Sequence, residues 1–115
     1  MLISISGVPI ILRRAKMIYI IGDGGSAALA DHFACDLLKN CGLPAISLCS
    51  NNALITAIGN DYSFEEIFQR QLQILYKTED LLVIFTTSGT SKNLVAACKG
   101  VDNILLVSGN FDFFE

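Results

Sequence analysis

Five hydroxyl side chains within six positions mark the part of this sequence best suited to bind an anion. The stretch Thr86-Thr87-Ser88-Gly89-Thr90-Ser91 follows the apolar run Leu81 to Phe85 and precedes a helix-like segment, Lys92 to Lys99. Hydroxyls are rotatable donors, a helix N-terminus offers unpaired N–H groups, and Gly89 allows the backbone to approach a ligand closely. The stretch therefore predicts a phosphate site. The alternative is that these hydroxyls only cap the helix and form the turn.

A second small-residue loop, Gly22-Asp23-Gly24-Gly25-Ser26, follows the apolar run Met17 to Ile21. Ser26 is placed to cap the helix that follows. The spacing Gly22-x-Gly24-x-x-Ala27 matches the dinucleotide fingerprint, which also needs an acidic residue about 20 positions further on. The sequence has Ser50, Asn51 and Asn52 there instead, and it lacks the Gly-Lys-Ser/Thr phosphate loop of nucleotide triphosphatases. These absences disfavour dinucleotides and nucleoside triphosphates as ligands.

His32 and Asp36 are four residues apart, so a helix places them on one face, close to the glycine-rich loop. An imidazole and a carboxylate so placed can begin a metal site or form an acid–base pair. The alternative is a solvent-facing polar stripe. A zinc site needs three or four ligands, so a third would have to come from another subunit. A serine–histidine–aspartate triad has no good candidate, because Ser26 lacks the nucleophile-elbow pattern.

Asn60 and Asp61 follow a predicted short helix and precede Ser63. Asn-Asp pairs are ordinary turn residues, and the functional alternative is that Asp61 accepts hydrogen bonds from sugar hydroxyls. Ser63 and Glu66 form a predicted capping box for the next helix, and Glu65 and Glu66 complement the positive end of that helix.

The 115 residues predict a single domain, 1–115, with 52% apolar and 17% charged residues. So few charges suggest apolar surface that a partner subunit covers. The net charge is −3, whereas nucleic-acid-binding domains are typically basic, so we do not expect a nucleic-acid partner. Residues 1–12 are apolar but too short to span a bilayer, and their positive charges follow the apolar run, unlike a signal peptide. We therefore expect a cytoplasmic protein whose four cysteines are reduced and mostly buried.

Apolar runs alternate with helical patterns along the chain. The predicted strands are Met17 to Ile21, Leu43 to Cys49, Leu81 to Phe85 and Ile104 to Val107. The helix after Ser26 carries an apolar stripe and ends at Gly42. A short helix begins at Ser50 to Asn52 and ends at Gly59, and a third helix begins at Ser63. The stripe of the first of these helices comprises Ala30, Phe33, Ala34, Leu37, Leu38 and Cys41. Because helices separate all the strands, the pattern predicts a doubly wound parallel α/β sheet with helices on both faces.

Four motifs together resemble the sugar isomerase (SIS) domain family, over residues 14 to 108. They are Gly22-Asp23-Gly24-Gly25-Ser26, then His32-Phe33-Ala34, then the run from Ala57 to Phe68, then Thr87-Ser88-Gly89-Thr90-Ser91-Lys92-Asn93. The resemblance implies a flavodoxin-like, three-layer fold, a homotetramer or dimer, and active sites shared between subunits. The most similar members interconvert sedoheptulose 7-phosphate and an aldoheptose 7-phosphate. The resemblance therefore implies an aldose–ketose isomerase acting on a phosphorylated seven-carbon sugar.

Residue roles are carried over from this resemblance position by position. Thr86, Thr87, Ser88 and Ser91 would hold the phosphate, and Ser26 and Asp61 would contact the sugar. His32 would be a zinc ligand, and Asp36 stands where the family keeps a glutamate that is both ligand and base. Asp23 stands where the family usually has asparagine.

The family also has a helix before the first strand, and a strand and helix after residue 108. That last helix brings a histidine that acts as general acid and ligand, and a glutamine ligand. This sequence ends at Glu115 without a second histidine, so the chain looks shortened at both ends. The alternative function, from another class, is a catalytically silent SIS domain that binds sugar phosphates or partner proteins as a regulator.

Overall fold

The computed structural model describes residues 7–108 and contains one parallel sheet between two layers of helices. The predicted doubly wound α/β fold is confirmed. The strands are β1 (Ile18–Ile21), β2 (Ala45–Ser47), β3 (Leu81–Thr86) and β4 (Ile104–Ser108). The helices are α1 (Val8–Arg14), α2 (Gly25–Lys39), α3 (Asn52–Asp61), α4 (Gln69–Leu75) and α5 (Lys92–Ala97), and a 3-10 helix spans Phe64–Glu66.

The strands lie in the order β2-β1-β3-β4, and every pair is parallel. Ile18 is opposite Leu81 and Ile21 is opposite Ile84, so the carboxyl ends of β1 and β3 lie side by side. The order reverses between these two strands, because the chain passes from β1 to β2 on one side and adds β3 on the other. Open α/β sheets bind ligands at such a reversal point.

The sheet is covered on both faces. On one face, Leu12 of α1 and Ala30, Ala34 and Leu37 of α2 pack against inward-facing strand residues. On the other, α3, α4, α5 and the 3-10 helix contribute Ile58, Ile67, Phe68, Leu72, Leu94 and Ala97. All residues of β1 and β3 are buried, which explains why both strands read as continuous apolar runs.

Strand β2 is shorter than predicted, because the chain turns after Ser47. The Ser47 hydroxyl accepts a hydrogen bond from the Cys49 N–H at 3.2 Å, and the Ser50 hydroxyl donates to the Ser47 carbonyl at 2.8 Å. Side-chain bonds of this kind divert the backbone from the ladder. Pro44, which we included in the strand, contributes only its carbonyl, which accepts from the Ile18 N–H at 2.8 Å.

Three helix predictions need correction. Helix α3 continues through Gly59 to Asp61, since one interior glycine costs only about 1 kcal/mol. The helix predicted from Ser63 divides into the 3-10 helix and α4. The predicted capping box is also different, because the Glu66 carboxylate accepts from the Ser63 hydroxyl at 2.8 Å and from Arg70 at 3.1 Å instead of turning back to the backbone.

The apolar stripe of α2 is narrower than predicted, because Leu38 is 54% exposed and Cys41 lies beyond the helix end. The prediction that the cysteines are mostly buried is wrong. All four are free thiols, with Cys35 and Cys41 exposed and Cys49 and Cys98 half-buried. Within residues 7–108, no helix has both the length and the apolar content needed to cross a membrane.

Candidate active site

The hydroxyl-rich stretch and the glycine-rich loop meet at the carboxyl edge of the sheet, where the strand order reverses. They line one polar hollow of about 40 Å³. Since a cavity of roughly 10–15 Å³ holds one water, the hollow suits a group the size of a phosphate and is too small for a whole sugar phosphate. The lining residues are Asp23, Ser26, Phe85, Thr86, Thr87, Ser88, Ser91 and Leu94.

The hollow therefore brings together five of the predicted substrate-binding residues: Ser26, Thr86, Thr87, Ser88 and Ser91. Thr86 is the last residue of β3 and is buried, whereas Thr87 and Ser88 are exposed. The end of a fully buried strand thus fixes the base of the hollow, and the exposed turn forms its rim.

Two of these hydroxyls also build the turn. The Thr86 hydroxyl accepts from the Gly89 N–H at 2.9 Å, and the Ser88 hydroxyl accepts from the Thr90 N–H at 3.3 Å. The hydroxyls of Ser88 and Ser91 lie 3.4 Å apart. The turn interpretation is therefore correct for Thr86 and Ser88. Both oxygens still carry a hydroxyl hydrogen that can be donated to an anion.

The capping interpretation fails for both loops. Ser91 is the N-cap of α5 but makes no side-chain capping bond, and α2 begins at Gly25 with Gly24 as its N-cap, one position before Ser26. Gly89 has φ of 67°, a left-handed conformation that glycine adopts without strain. Helix α5 has only six residues, so its dipole is a small contribution and hydroxyls are the main donors of this hollow.

A hydrogen bond that the sequence did not reveal joins the two loops. The Asn93 side-chain amide donates to the Asp23 carboxylate at 2.7 Å, and Asn93 is only 3% exposed. A buried asparagine in the first turn of a helix is a weak sequence signal, because the same residue is common on exposed helix ends. Asn93 thus holds the β1–α2 loop against α5 across 70 positions of sequence.

The base of the glycine-rich loop is closely packed. The Cys49 thiol donates to the Gly22 carbonyl at 3.2 Å, and burial raises the pKa of this thiol to about 11. Cys49 is therefore a neutral packing group at physiological pH and a poor nucleophile.

Gly22 has no room for a side chain. A β-carbon at this position would lie 2.7 Å from the Ser26 carbonyl oxygen, which belongs to the backbone and cannot rotate away. We expect Gly22→Ala to displace the first turn of α2 and to lower the free energy of unfolding by about 1–3 kcal/mol. Chemical denaturation measures this loss. Gly25→Ala is the matched control, because a β-carbon there meets nothing within 4 Å, and an equal loss in both variants would contradict this packing.

His32 and Asp36 lie outside the hollow on the surface of α2. The His32 Nε2 and Asp36 Oδ2 atoms are 3.2 Å apart, and the side chains are 75% and 45% exposed. Asp36 is ten residues after Ser26, which is about 15 Å along a helix. Within one chain, the predicted base therefore cannot contact a sugar whose phosphate occupies the hollow.

The described residues do not complete a metal site. No group of three or more histidine, cysteine, aspartate or glutamate side chains is placed to hold a metal ion within residues 7–108. His32 and Asp36 provide two donors, one fewer than the smallest zinc ligand set. The donor set that residues 7–108 of one chain provide therefore does not fit zinc.

Asp61 is also outside the hollow. It is the last residue of α3, is exposed, and accepts from the Asn60 side chain at 3.1 Å. The pair is helical, so the interpretation of Asn60 and Asp61 as a turn is wrong. Its carboxylate remains accessible at the surface.

Residues 10–104 match the family described as the SIS domain, which covers well over half of the chain. The chain belongs to the SIS domain family. The resemblance drawn from the four motifs is thus confirmed, and the three-layer α/β fold is the SIS domain fold.

Several relatives in this family are named phosphoheptose isomerase. The Geotalea uraniireducens protein of that name is 44% identical over 98 residues, which cover 81% of this chain and 52% of the relative. The Helicobacter pylori protein is 48% identical over 91 residues, covering 75% and 47% respectively. This chain spans about half the length of the curated relatives it matches.

Two solved structures of phosphoheptose isomerases show the same fold. The phosphoheptose isomerase of Neisseria gonorrhoeae superposes with a TM-score of 0.75 at 36% identity, over 85% of this chain and 54% of that protein. A phosphoheptose isomerase from Francisella tularensis superposes with a TM-score of 0.76 at 36% identity, over 82% and 52%.

Proposed function

We propose that this SIS domain acts as an aldose–ketose isomerase on a phosphorylated seven-carbon sugar, converting sedoheptulose 7-phosphate to an aldoheptose 7-phosphate. The observation that carries the proposal is the hydroxyl-lined hollow at the strand reversal point, which joins Ser26 to Thr86, Thr87, Ser88 and Ser91. The relatives named phosphoheptose isomerase supply the reaction and the sugar.

In this proposal the hollow holds the phosphate and leaves the sugar outside it. Donors that are fixed before the ligand arrives bind the anion without reorganisation, and the anchored phosphate then orients the reactive end of the sugar. Asp61, which ends α3 with an exposed carboxylate, is the proposed acceptor for sugar hydroxyls.

Isomerisation requires a base. The base removes a proton from the carbon beside the carbonyl, giving a cis-enediol, and the proton returns to the neighbouring carbon. Asp36 is the proposed base. Because it lies about 15 Å along α2 from Ser26, the Asp36 that serves a given hollow must belong to another copy of the chain. We therefore propose a homo-oligomer, either a dimer or a tetramer, with sites formed between subunits.

Zinc is a further proposal. His32 and Asp36 would supply two ligands, and the rest would come from groups beyond those described in one chain. We also propose that the protein acts in the cytoplasm, where phosphorylated sugars are found.

The second candidate function is a non-catalytic SIS domain that binds sugar phosphates as a regulator. The observation that favours it is the separation of the phosphate hollow from His32 and Asp36 within one chain. Binding without turnover distinguishes this candidate from the isomerase.

The test of both candidates is the Ser88→Ala variant. We expect sedoheptulose 7-phosphate to raise the melting temperature of the wild-type protein and to be turned over. A hydrogen bond to a charged group contributes about 1.5–3 kcal/mol, so Ser88→Ala should bind roughly 10- to 100-fold more weakly. Thr78→Ala is the control, since it removes an exposed hydroxyl at the opposite edge of the sheet. No turnover by the folded wild-type protein removes the isomerase, and no thermal stabilisation by saturating sugar phosphate removes both candidates.

A further inference from the structure

The wall of the hollow carries one feature that does not suit a phosphate site. Among the side chains that line it, Asp23 is the charged one, and its charge is negative. The other polar lining groups are the hydroxyls of Ser26, Thr86, Thr87, Ser88 and Ser91, all of which can donate to an anion. A carboxylate only accepts hydrogen bonds, so Asp23 repels the ligand that its neighbours bind.

The Asp23 carboxylate is also held in place. Its Oδ1 atom accepts from the Asn93 amide at 2.7 Å, and Asn93 is buried with an exposed fraction of 3%. The short bond to a buried partner prevents the carboxylate from rotating freely into solvent. Lys92, the neighbouring cation at the start of α5, is exposed and is not among the lining residues. The negative charge of Asp23 is therefore a fixed part of the hollow.

We propose that Asp23 is a specificity-determining residue that makes this hollow discriminate between ligands by their charge. Its carboxylate lowers the affinity for a phosphate ester more than the affinity for a singly charged ester. Asn93 acts as the positioning residue that holds Asp23 in the wall. The inference rests on the proposed function, because it concerns the site assigned to the phosphate. A phosphate ester carries a charge of about −1.5 to −2 at neutral pH, whereas a sulfate ester carries a single negative charge. Repulsion by Asp23 should thus be greater for the phosphate.

The test is Asp23→Asn, measured by calorimetric titration with sedoheptulose 7-phosphate, its 7-sulfate analogue and unphosphorylated sedoheptulose. The side chains are the same size, and an asparagine oxygen can still accept from the Asn93 amide, so the loop should remain folded. Two unit charges 4 Å apart interact by about 1 kcal/mol even in water, so we expect roughly fivefold tighter binding of the singly charged sulfate. The phosphate, with its larger charge, should gain about 10- to 30-fold, and the neutral sugar should be unaffected.

Glu79→Gln is the matched control, because it removes the same charge at the opposite end of β3. Glu79 precedes β3, and the six residues of that strand separate it from Thr87 by about 20 Å. This distance is well beyond the screening length of about 8 Å at physiological salt. The affinities of Glu79→Gln for the three ligands should therefore match those of the wild type.

Each outcome separates this inference from the proposed function. Unchanged or weaker phosphate binding by Asp23→Asn overturns the inference and leaves the function in place. Equal increases in affinity for the phosphate and the sulfate also overturn it, because the hollow would then not discriminate between ligands by their charge. Tighter phosphate binding without turnover by the wild type supports the inference and rejects the isomerase. No binding of any anion to either protein overturns both.

Discussion

Asp36→Asn should lower turnover of sedoheptulose 7-phosphate by about 10²- to 10⁴-fold, which is the usual contribution of a positioned general base. An amide cannot take the proton from the carbon beside the carbonyl, although it occupies the same space as the carboxylate. Binding of the sugar phosphate should change little, because the hollow that holds the phosphate does not include Asp36. Kinetics and calorimetry on the same preparation separate these two effects.

The control is Asp31→Asn, on the same helix. Asp31 is exposed and accepts a hydrogen bond from the Ser47 hydroxyl, which an asparagine oxygen can also accept. Turnover by this variant should stay near that of the wild type. Full activity in Asp36→Asn would show that another group is the base.

A mixing experiment extends this prediction to the assembly. If each site combines the hollow of one subunit with Asp36 of another, mixed oligomers of Asp36→Asn and Ser88→Ala contain some sites with both residues intact. Random assembly of a two-fold dimer makes about one quarter of the sites complete. At a sugar phosphate concentration too low to occupy the weakened hollow of Ser88→Ala, each variant alone should show little turnover, and mixing them should restore it. No restoration under these conditions would contradict sites shared between subunits.

Phe68→Ala should lower the free energy of unfolding by about 3–5 kcal/mol. Phe68 is 1% exposed and packs in the core that joins β1 and β3 to α3, α4 and α5. Removing its ring leaves a cavity that the surrounding helices cannot close completely. Domains of this kind have a total stability of only about 5–15 kcal/mol, so the variant should be close to unfolding at 37 °C.

Phe64→Ala is the comparison, because Phe64 belongs to the same segment and is 64% exposed. Its free energy of unfolding should fall by less than about 0.5 kcal/mol. Urea unfolding curves of the two variants measure the difference. Similar midpoints would mean that Phe68 is not in the core.

The fold could be predicted from the sequence because its central strands are buried on both faces. Ile18 to Ile21 and Leu81 to Phe85 are continuous apolar runs, and the helices between strands require parallel crossovers. The ends of elements were harder to predict. Ser47 ends β2 through a hydrogen bond of its own side chain, and Gly59 is tolerated inside α3. Neither effect has a distinct local sequence pattern.

The hydroxyl-lined hollow follows from residue types, because Ser88 and its neighbours are unusually rich in donors. The bond between Asn93 and Asp23 was not predicted, since it joins residues 70 positions apart and depends on the way α5 packs against the first loop. The separation of Asp36 from Ser26 could be calculated from the helical rise, but no sequence pattern shows whether another chain brings its Asp36 to the hollow. The donors of one loop could thus be read from the sequence, whereas the hydrogen bond between the two loops could not.

Two-dimensional NMR of the backbone amide signals during titration with sedoheptulose 7-phosphate tests the proposed phosphate site most directly. We expect the largest shifts in residues 22–26 and 86–93, and we expect unphosphorylated sedoheptulose to leave those signals unchanged. The opposite edge of the sheet contains another cavity, lined by Arg14, Asp80 and Asn103. Shifts concentrated there, with the signals of Thr87 and Ser88 unmoved, would contradict a phosphate site in the hydroxyl-lined hollow.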